Sequence, residues 1–230
     1  MALVELLNVE KDYPLGNTVI QALRGVTLSV EKGELLSVVG PSGCGKTTLL
    51  NMMGCIDTPT RGSVHFGGVD IAAVSDGALA DIRLRRIGFI FQTFNLVPVL
   101  SVQENVELPM VIARVPAARR GSVADSLIDA VGLTSYRKHK PAELSGGQRQ
   151  RVAIARALVN DPDVVIADEP TANLDSTTGD EVLHVIRNLN EREGVTFIFS
   201  THNPEILKYA TRLIRLRDGS LEGAGHRGDG

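Results

Sequence analysis

Four short stretches of the chain are apolar almost throughout: "LLSVV" (35–39), "IGFIF" (87–91), "VVIA" (164–167) and "TFIFS" (196–200). A strand with one face in water alternates apolar and polar residues, so unbroken runs of this length predict strands covered on both faces. Between them the period changes to that of a helix. In "TTLLNMMG" the side chains of Leu49, Leu50 and Met53 fall on one face before Gly54 stops the run, "SVADSLIDAVG" closes at Gly132, and "QRQRVAIARALV" sets Val152, Ala155, Leu158 and Val159 against largely opposed arginines. Buried strands separated by helices predict an α/β fold with a mainly parallel sheet flanked by helices.

The ends and the middle read differently. "ALVELLNVEKDY", "LRGVTLSVEKGE" and "GSVHFGGVDI" alternate and are punctuated by glycines, which predicts an N-terminal antiparallel β subdomain. Residues 93–160 carry helical patterns without a strong strand, which predicts an α-helical subdomain. The catalytic core then comprises about 1–92, with the β subdomain, and about 161–220, all in one domain, and the glycine-rich "LEGAGHRGDG" (221–230) is expected to be a flexible tail.

Composition removes several classes of function. The 230 residues are 22% charged and 43% hydrophobic, the balance of a globular chain with room for one substantial core. A formal net charge of −3, with 4% aromatics and no Trp, supplies neither the basic field nor the stacking surface that nucleic-acid binding needs. No apolar run approaches the roughly 18–20 residues of a membrane helix, and "MALVELLNVEKDY" is too short and too acidic for a signal peptide. The chain is therefore expected in the cytosol, with Cys44 and Cys55 as free thiols.

The chemistry gathers at strand ends. "GPSGCGKT" (40–47) fits the phosphate-loop pattern in full, directly after a strand and at the start of a helix. Gly40, Pro41, Ser42, Gly43, Cys44 and Gly45 would close backbone N–H groups around phosphate oxygens, Lys46 would add a point charge, and the hydroxyl of Thr47, followed by Thr48, would ligate Mg²⁺. Cys44, beside Lys46, is expected to be a thiol whose alkylation blocks ATP hydrolysis. "VVIADEP" puts Asp168 at a strand end, where it would hold the Mg²⁺ shell, and then Glu169, which would orient or deprotonate the attacking water. Gln92 follows "IGFIF" and His202 follows "TFIFS". Parallel strands would bring all of these to one edge, around one nucleotide.

"LSGGQRQR" (144–151) looks like a second anion site without its chemistry: Ser145, Gly146, Gly147 and Gln148 open a helix, but no Lys-Thr pair follows. Phosphate loop, "LSGGQ", "VVIADE" and a later His stand in an order that resembles the nucleotide-binding domains of ATP-binding cassette (ABC) transporters, P-loop NTPases, over essentially the whole chain. The resemblance implies an ATPase that binds ATP and Mg²⁺. It implies that Tyr13 stacks on adenine, that Gln92 joins the metal and γ-phosphate site to a transmembrane partner, that "NLDS" places Asp175 at a dimer interface, and that His202 contacts the γ-phosphate. Asn203 stands where the family commonly has Asp.

The resemblance also explains the incomplete site. Within one subunit of the family the two helix starts lie too far apart to share a nucleotide, so Ser145 to Gln148 of one copy would close over the γ-phosphate held by Lys46 of another. Gly147→Asp is then expected to spare nucleotide binding and abolish turnover, by facing the partner's γ-phosphate with a carboxylate. "GCIDTPTRG", "FQTFNLVPVLSVQENVELP" and "ADEPTANLDSTTG" are most similar to the branch of macrolide and peptide exporters and lipoprotein-releasing complexes. An integral membrane permease would be the second partner, gripped through residues 91–110, with the chain held at the cytoplasmic face of the inner (plasma) membrane. Amino-acid importers share similar Gln-loop stretches, and soluble relatives in DNA repair or translation use the same core. The coiled coil or doubled cassette usual in those soluble relatives is not found in this sequence.

Overall fold

The computed structural model describes residues 2–201 and 208–226, with side chains through 222. Two sheets form. The first is antiparallel and takes β1 (Val4–Leu15), β2 (Thr18–Val30), β4 (Arg61–Phe66) and β5 (Val69–Asp70) in the order β2-β1-β4-β5. The second has the order β10-β9-β3-β8-β7-β6, built from β3 (Leu35–Val39), β6 (Ile87–Ile90), β7 (Val164–Asp168), β8 (Thr196–Thr201), β9 (Arg212–Arg217) and β10 (Ser220–His226). Five of its strands are parallel and only β10, on the edge, runs antiparallel. This is the α/β fold expected from the apolar runs.

Those runs are unbroken because the second sheet separates two cores. Leu36, Val38, Val164, Ile166 and Ile198 face a core shared with the antiparallel sheet and with α1 (Lys46–Met53). Leu35, Val165, Ala167, Phe197 and Phe199, one residue out of phase, face the other core. That second core is filled by α3 (Val102–Ile112), α4 (Ala117–Ala130), α5 (Gly146–Leu158) and α6 (Ser176–Glu193). Alternating side chains both find apolar partners, so neither face selects for polar residues. A further helix, α2 (Asp76–Arg86), leads into β6.

One expectation is corrected. Residues 221–226 are not a loose tail, because Asp218 and Gly219, at φ 47° and 79°, make a two-residue turn that folds Ser220–His226 back along β9 as β10. Two successive positive φ angles at Asp-Gly are the signature of a tight hairpin. Backbone pairing at a sheet edge then satisfies a segment whose own β propensity is low.

Candidate active site

The phosphate loop spans the gap between β3 and α1. Gly45 caps α1 at φ 106°, and no side chain bonds the first-turn N–H groups, which leaves the helix terminus suited to an anion. A Cβ on Gly45 would lie 2.5 Å from the carbonyl oxygen of Ala22, so only glycine lets the loop pass this close to β2. Lys46 is 7% exposed; its ammonium donates to the carbonyls of Gly40 at 2.9 Å and Pro41 at 3.0 Å and lies 3.9 Å from Glu169 Oε1.

Thr47 Oγ1 donates to Asp168 Oδ2 at 2.8 Å, so the hydroxyl at the head of α1 and the carboxylate at the end of β7 already converge. The other carboxylate oxygen accepts from Ser200 Oγ at 2.5 Å. The N–H of Glu169, in a left-handed conformation at φ 48°, donates to the same Ser200 oxygen at 2.9 Å. No cluster of three or more His, Cys, Asp or Glu suited to a metal exists among the described residues. One hydroxyl beside one carboxylate is instead the hard-oxygen set with which Mg²⁺ is held alongside substrate phosphates, and the residues present fit Mg²⁺-ATP.

Lys46, Thr47, Asp168 and Glu169 line an open cleft of about 880 Å³, which also takes in Ile20 of β2, Gln92 after β6, and the Asp218-Gly219 turn. That is nucleotide scale. Tyr13 is not among the lining residues. Its hydroxyl donates to Asp57 Oδ2 at 2.8 Å, with Lys11 Nζ 4.9 Å from the ring centroid. Burial, reinforced by Asp57, raises the Tyr13 phenol above its ordinary pKa. Burial also acts to raise Asp57, but hydrogen bonds from the Lys11 ammonium and the Tyr13 hydroxyl outweigh it and hold that carboxyl below the ordinary range. Tyr13 therefore stands beside the cleft with its polar end anchored 44 residues away in sequence.

Ser145, Gly146, Gly147 and Gln148 do not line the cleft of their own chain. They open α5 with a capping box: Ser145 Oγ accepts the Gln148 N–H at 3.3 Å, and Ser145 N–H donates to Gln148 Oε1 at 2.9 Å. Gly147 is buried, and a Cβ there would lie 2.2 Å from Thr178 Cγ2 on α6. This corrects the reasoning behind the Gly147→Asp expectation, because the side chain would be driven into α6 rather than outward. Asp175 is the N-cap of α6, accepting from Thr178 N–H at 3.0 Å, and the Thr178 side chain and amide hold its carboxyl below the usual range. It serves its own helix and remains exposed.

The loop after β6 is held from two sides. Asn173 Nδ2 donates to the Gln92 carbonyl at 2.9 Å, and the Arg156 guanidinium of α5 donates to the carbonyls of Asn95 at 2.5 Å and Phe94 at 2.8 Å. Phe94 and Asn95 are both left-handed, at φ 61° and 47°, conformations that persist only where neighbours over-determine them. Cys44 is 4% exposed and packs in the core beneath the loop, so the expected attack by alkylating reagents meets a shielded thiol. His202 lies outside the described residues.

Sequence reasoning did not single out Ser200, Asp57, Asn173 or Arg156. Ser200 did leave a signal, as the polar residue that follows the apolar "FIF" in β8 and stands level with Asp168. The others are joined to the site by contacts 44 to 81 residues apart, which no local pattern displays.

A complete phosphate loop, a strand-end carboxylate bonded to its Thr, and a separate capped "LSGGQ" helix on this two-sheet frame define the class: an ATP-binding cassette of the P-loop NTPase kind. The chain belongs to the ABC transporter family, whose model matches residues 23–172. It is 46% identical over 220 residues to the lipoprotein-releasing system ATP-binding protein LolD of Geobacter metallireducens, covering 96% of this chain and 98% of that protein. It is also 46% identical over 224 residues to the macrolide export ATP-binding/permease protein MacB of Syntrophobacter fumaroxidans, covering 96% of this chain but 31% of that protein. Among solved structures, the dimeric post-hydrolysis state of the cassette MJ0796 bound to ADP and Pi aligns with a TM-score of 0.88 at 42% identity, over 97% of this chain and 98% of that one.

Proposed function

We propose that this chain is the ATP-hydrolysing subunit of a transporter for export or for release of lipoproteins, peptides or antibiotics, and that two copies close head to tail around two ATP molecules. One observation carries this reading: Lys46, Thr47 and Asp168 come together in one cleft, while Ser145 to Gln148 lie outside that cleft on their own chain. In a two-fold pair each copy's α5 start covers the other's phosphate loop, and two equal sites form at once. The dimeric MJ0796 cassette supports that arrangement.

Within each site Lys46 takes the β and γ phosphates and the phosphate-loop amides, with Thr48, hold the remaining oxygens. Thr47 and Asp168, with Gln92, would hold Mg²⁺, which when bound would neutralise charge developing on the transferred phosphoryl group. Glu169 orients the attacking water and takes its proton, and Tyr13 packs on the adenine. The Ser145 hydroxyl and the Gly146 and Gly147 amides donate to the γ-phosphate in trans, next to Asp175 at the interface, and His202 reads the same group. Each charge-assisted hydrogen bond contributes roughly 1.5–3 kcal/mol, so loss of several on hydrolysis shifts the dimer equilibrium by orders of magnitude.

The partner that turns closure into transport is an integral membrane permease, which places this subunit peripherally on the cytoplasmic face of the inner membrane. No helix among the described residues is long and apolar enough to cross a membrane. A groove of about 270 Å³ between the β6 end and α3, bounded by Phe89, Phe91, Leu108 and Ile112, supports docking there, with Ile112 61% exposed on its rim. Export and lipoprotein release are supported by the likeness to LolD and MacB.

The test is Glu169→Gln. Expected are retained ATP binding, hydrolysis reduced to background, and an ATP-dependent dimer by light scattering after sizing chromatography. Hydrolysis at the wild-type rate, or a strictly monomeric ATP-bound variant, contradicts the reading.

A further inference from the structure

Ser200 is 0% exposed and sits directly across from Asp168 in the parallel register of β7 and β8. A hydroxyl has one proton to give and lone pairs to receive with. Here the proton goes to Asp168 Oδ1 at 2.5 Å and a lone pair takes the N–H of Glu169 at 2.9 Å. With Thr47 on Oδ2 at 2.8 Å, both oxygens of Asp168 are fixed and its carboxylate cannot rotate. The neighbouring backbone needs help of another kind. Glu169 has φ 48°, a region disfavoured for any residue with a Cβ, and it is this turn that leaves Glu169 Oε1 3.9 Å from Lys46. One oxygen atom thus sets the orientation of the first carboxylate and the backbone that aims the second.

We propose that Ser200 is a positioning residue for ATP hydrolysis, a buried hydroxyl through which β8 holds the metal-binding Asp168 and the water-orienting Glu169 in working geometry. This rests on the roles given to those two residues under Proposed function. Because Ser200 reaches no part of the cleft itself, its effect passes through them. Nucleotide can bind through Lys46 and the phosphate loop without it. Mg²⁺ capture and the hydrolytic step depend on it.

The experiment compares Ser200→Ala and the near-isosteric Ser200→Cys with Ser200→Thr, which keeps the hydroxyl, and with Glu169→Gln as control. A buried hydrogen bond to a charged group, once unmade, changes an equilibrium by about ten- to a hundredfold, and kcat of Ser200→Ala and Ser200→Cys is expected to fall by that order. KM is expected to change far less. In a separate binding assay with a fluorescent ATP analogue, affinity without Mg²⁺ stays at the wild-type value while the Mg²⁺ concentration needed to tighten binding rises. Ser200→Thr recovers most of both. If Ser200→Ala hydrolyses at the wild-type rate with an unchanged Mg²⁺ titration while Glu169→Gln is inactive, the proposal is overturned. Equal losses in Ser200→Ala and Ser200→Thr also overturn it, since packing rather than the hydroxyl would then be responsible. Wild-type hydrolysis by Glu169→Gln overturns instead the assignment of Glu169, and the proposal falls with it.

Discussion

Gly147→Ala probes the joint between the "LSGGQ" helix and α6. The new Cβ would lie 2.2 Å from Thr178 Cγ2, with Thr178 Cβ next at 3.7 Å. Carbon atoms pack at about 3.5–4.0 Å, so the two elements must separate by roughly 1.3–1.8 Å at this point. Overpacking of this kind costs about 1–3 kcal/mol, and the better helix propensity of Ala offsets at most about 1 kcal/mol. A net loss of about 1–2 kcal/mol lowers Tm by roughly 2–8 °C in a chain of this size. The effect on turnover is larger, because the start of α5 carries Ser145, and about 1 Å of misplacement in a reacting site costs around a hundredfold. Nucleotide affinity measured with a fluorescent ATP analogue should stay within about threefold of wild type, since losing no direct contact changes binding little. Thr178→Ser removes the clashing methyl and keeps the hydroxyl, so the double variant should regain most of the Tm and the kcat. Wild-type Tm and kcat in Gly147→Ala, or no recovery in the double variant, refutes the packing argument.

Two further outcomes follow from the same geometry. Burial pushes the Cys55 thiol from 9.0 up to about 11, against smaller opposing effects of Arg83 and Arg86. The folded state therefore holds that proton more tightly than the unfolded state, and the stabilisation, complete below pH 9, is lost as pH rises toward 11. Chemical denaturation at pH 10 should show the wild type losing about 1 kcal/mol more than Cys55→Ala relative to pH 8; parallel pH profiles for the two would contradict this. Tyr13→Ala should weaken ATP binding by roughly three- to tenfold if the ring packs on the base, whereas Tyr13→Phe, which loses only the Asp57 bond, should bind nearly as wild type. Equal losses in both would assign the effect to the Asp57 anchor.

The part of the fold legible in the sequence is the part where one physical signal dominates. Strands β3, β6, β7 and β8 announce themselves because both faces are apolar, and the phosphate loop because Gly45, Lys46 and Thr47 each answer a separate demand of one anion. β9, "RLIRLR", is harder to see. Its flanking arginines reach solvent or ion pairs, as Arg212 does with Glu34 at 3.2 Å, and the strand reads as surface although Ile214 and Leu216 are buried. β10 was hidden by its glycines, and its only local cue is the Asp218-Gly219 turn. In the site, identity was legible and aim was not. "LSGGQ" marks a helix start, but only the fold shows that Gly147 presses on Thr178 and that its side-chain direction points into the protein. The partner of Tyr13 is equally a matter of tertiary structure, since Asp57 comes to it from the far end of α1.

The central claim is that each active site is shared between two copies, and mixing two inactive variants tests it most directly. Lys46→Ala keeps an intact "LSGGQ" start and has no working phosphate loop. Ser145→Arg keeps the phosphate loop and blocks the start of α5. In a head-to-tail pair of one of each, the intact loop of one meets the intact helix start of the other, so one of two sites is whole. Equal mixing gives about half mixed dimers by two-fold statistics, and ATPase activity should return to about a quarter of wild type. If the mixture stays as inactive as its components while mixed dimers are shown to form, the shared site is contradicted and Ser145 must serve the nucleotide of its own chain.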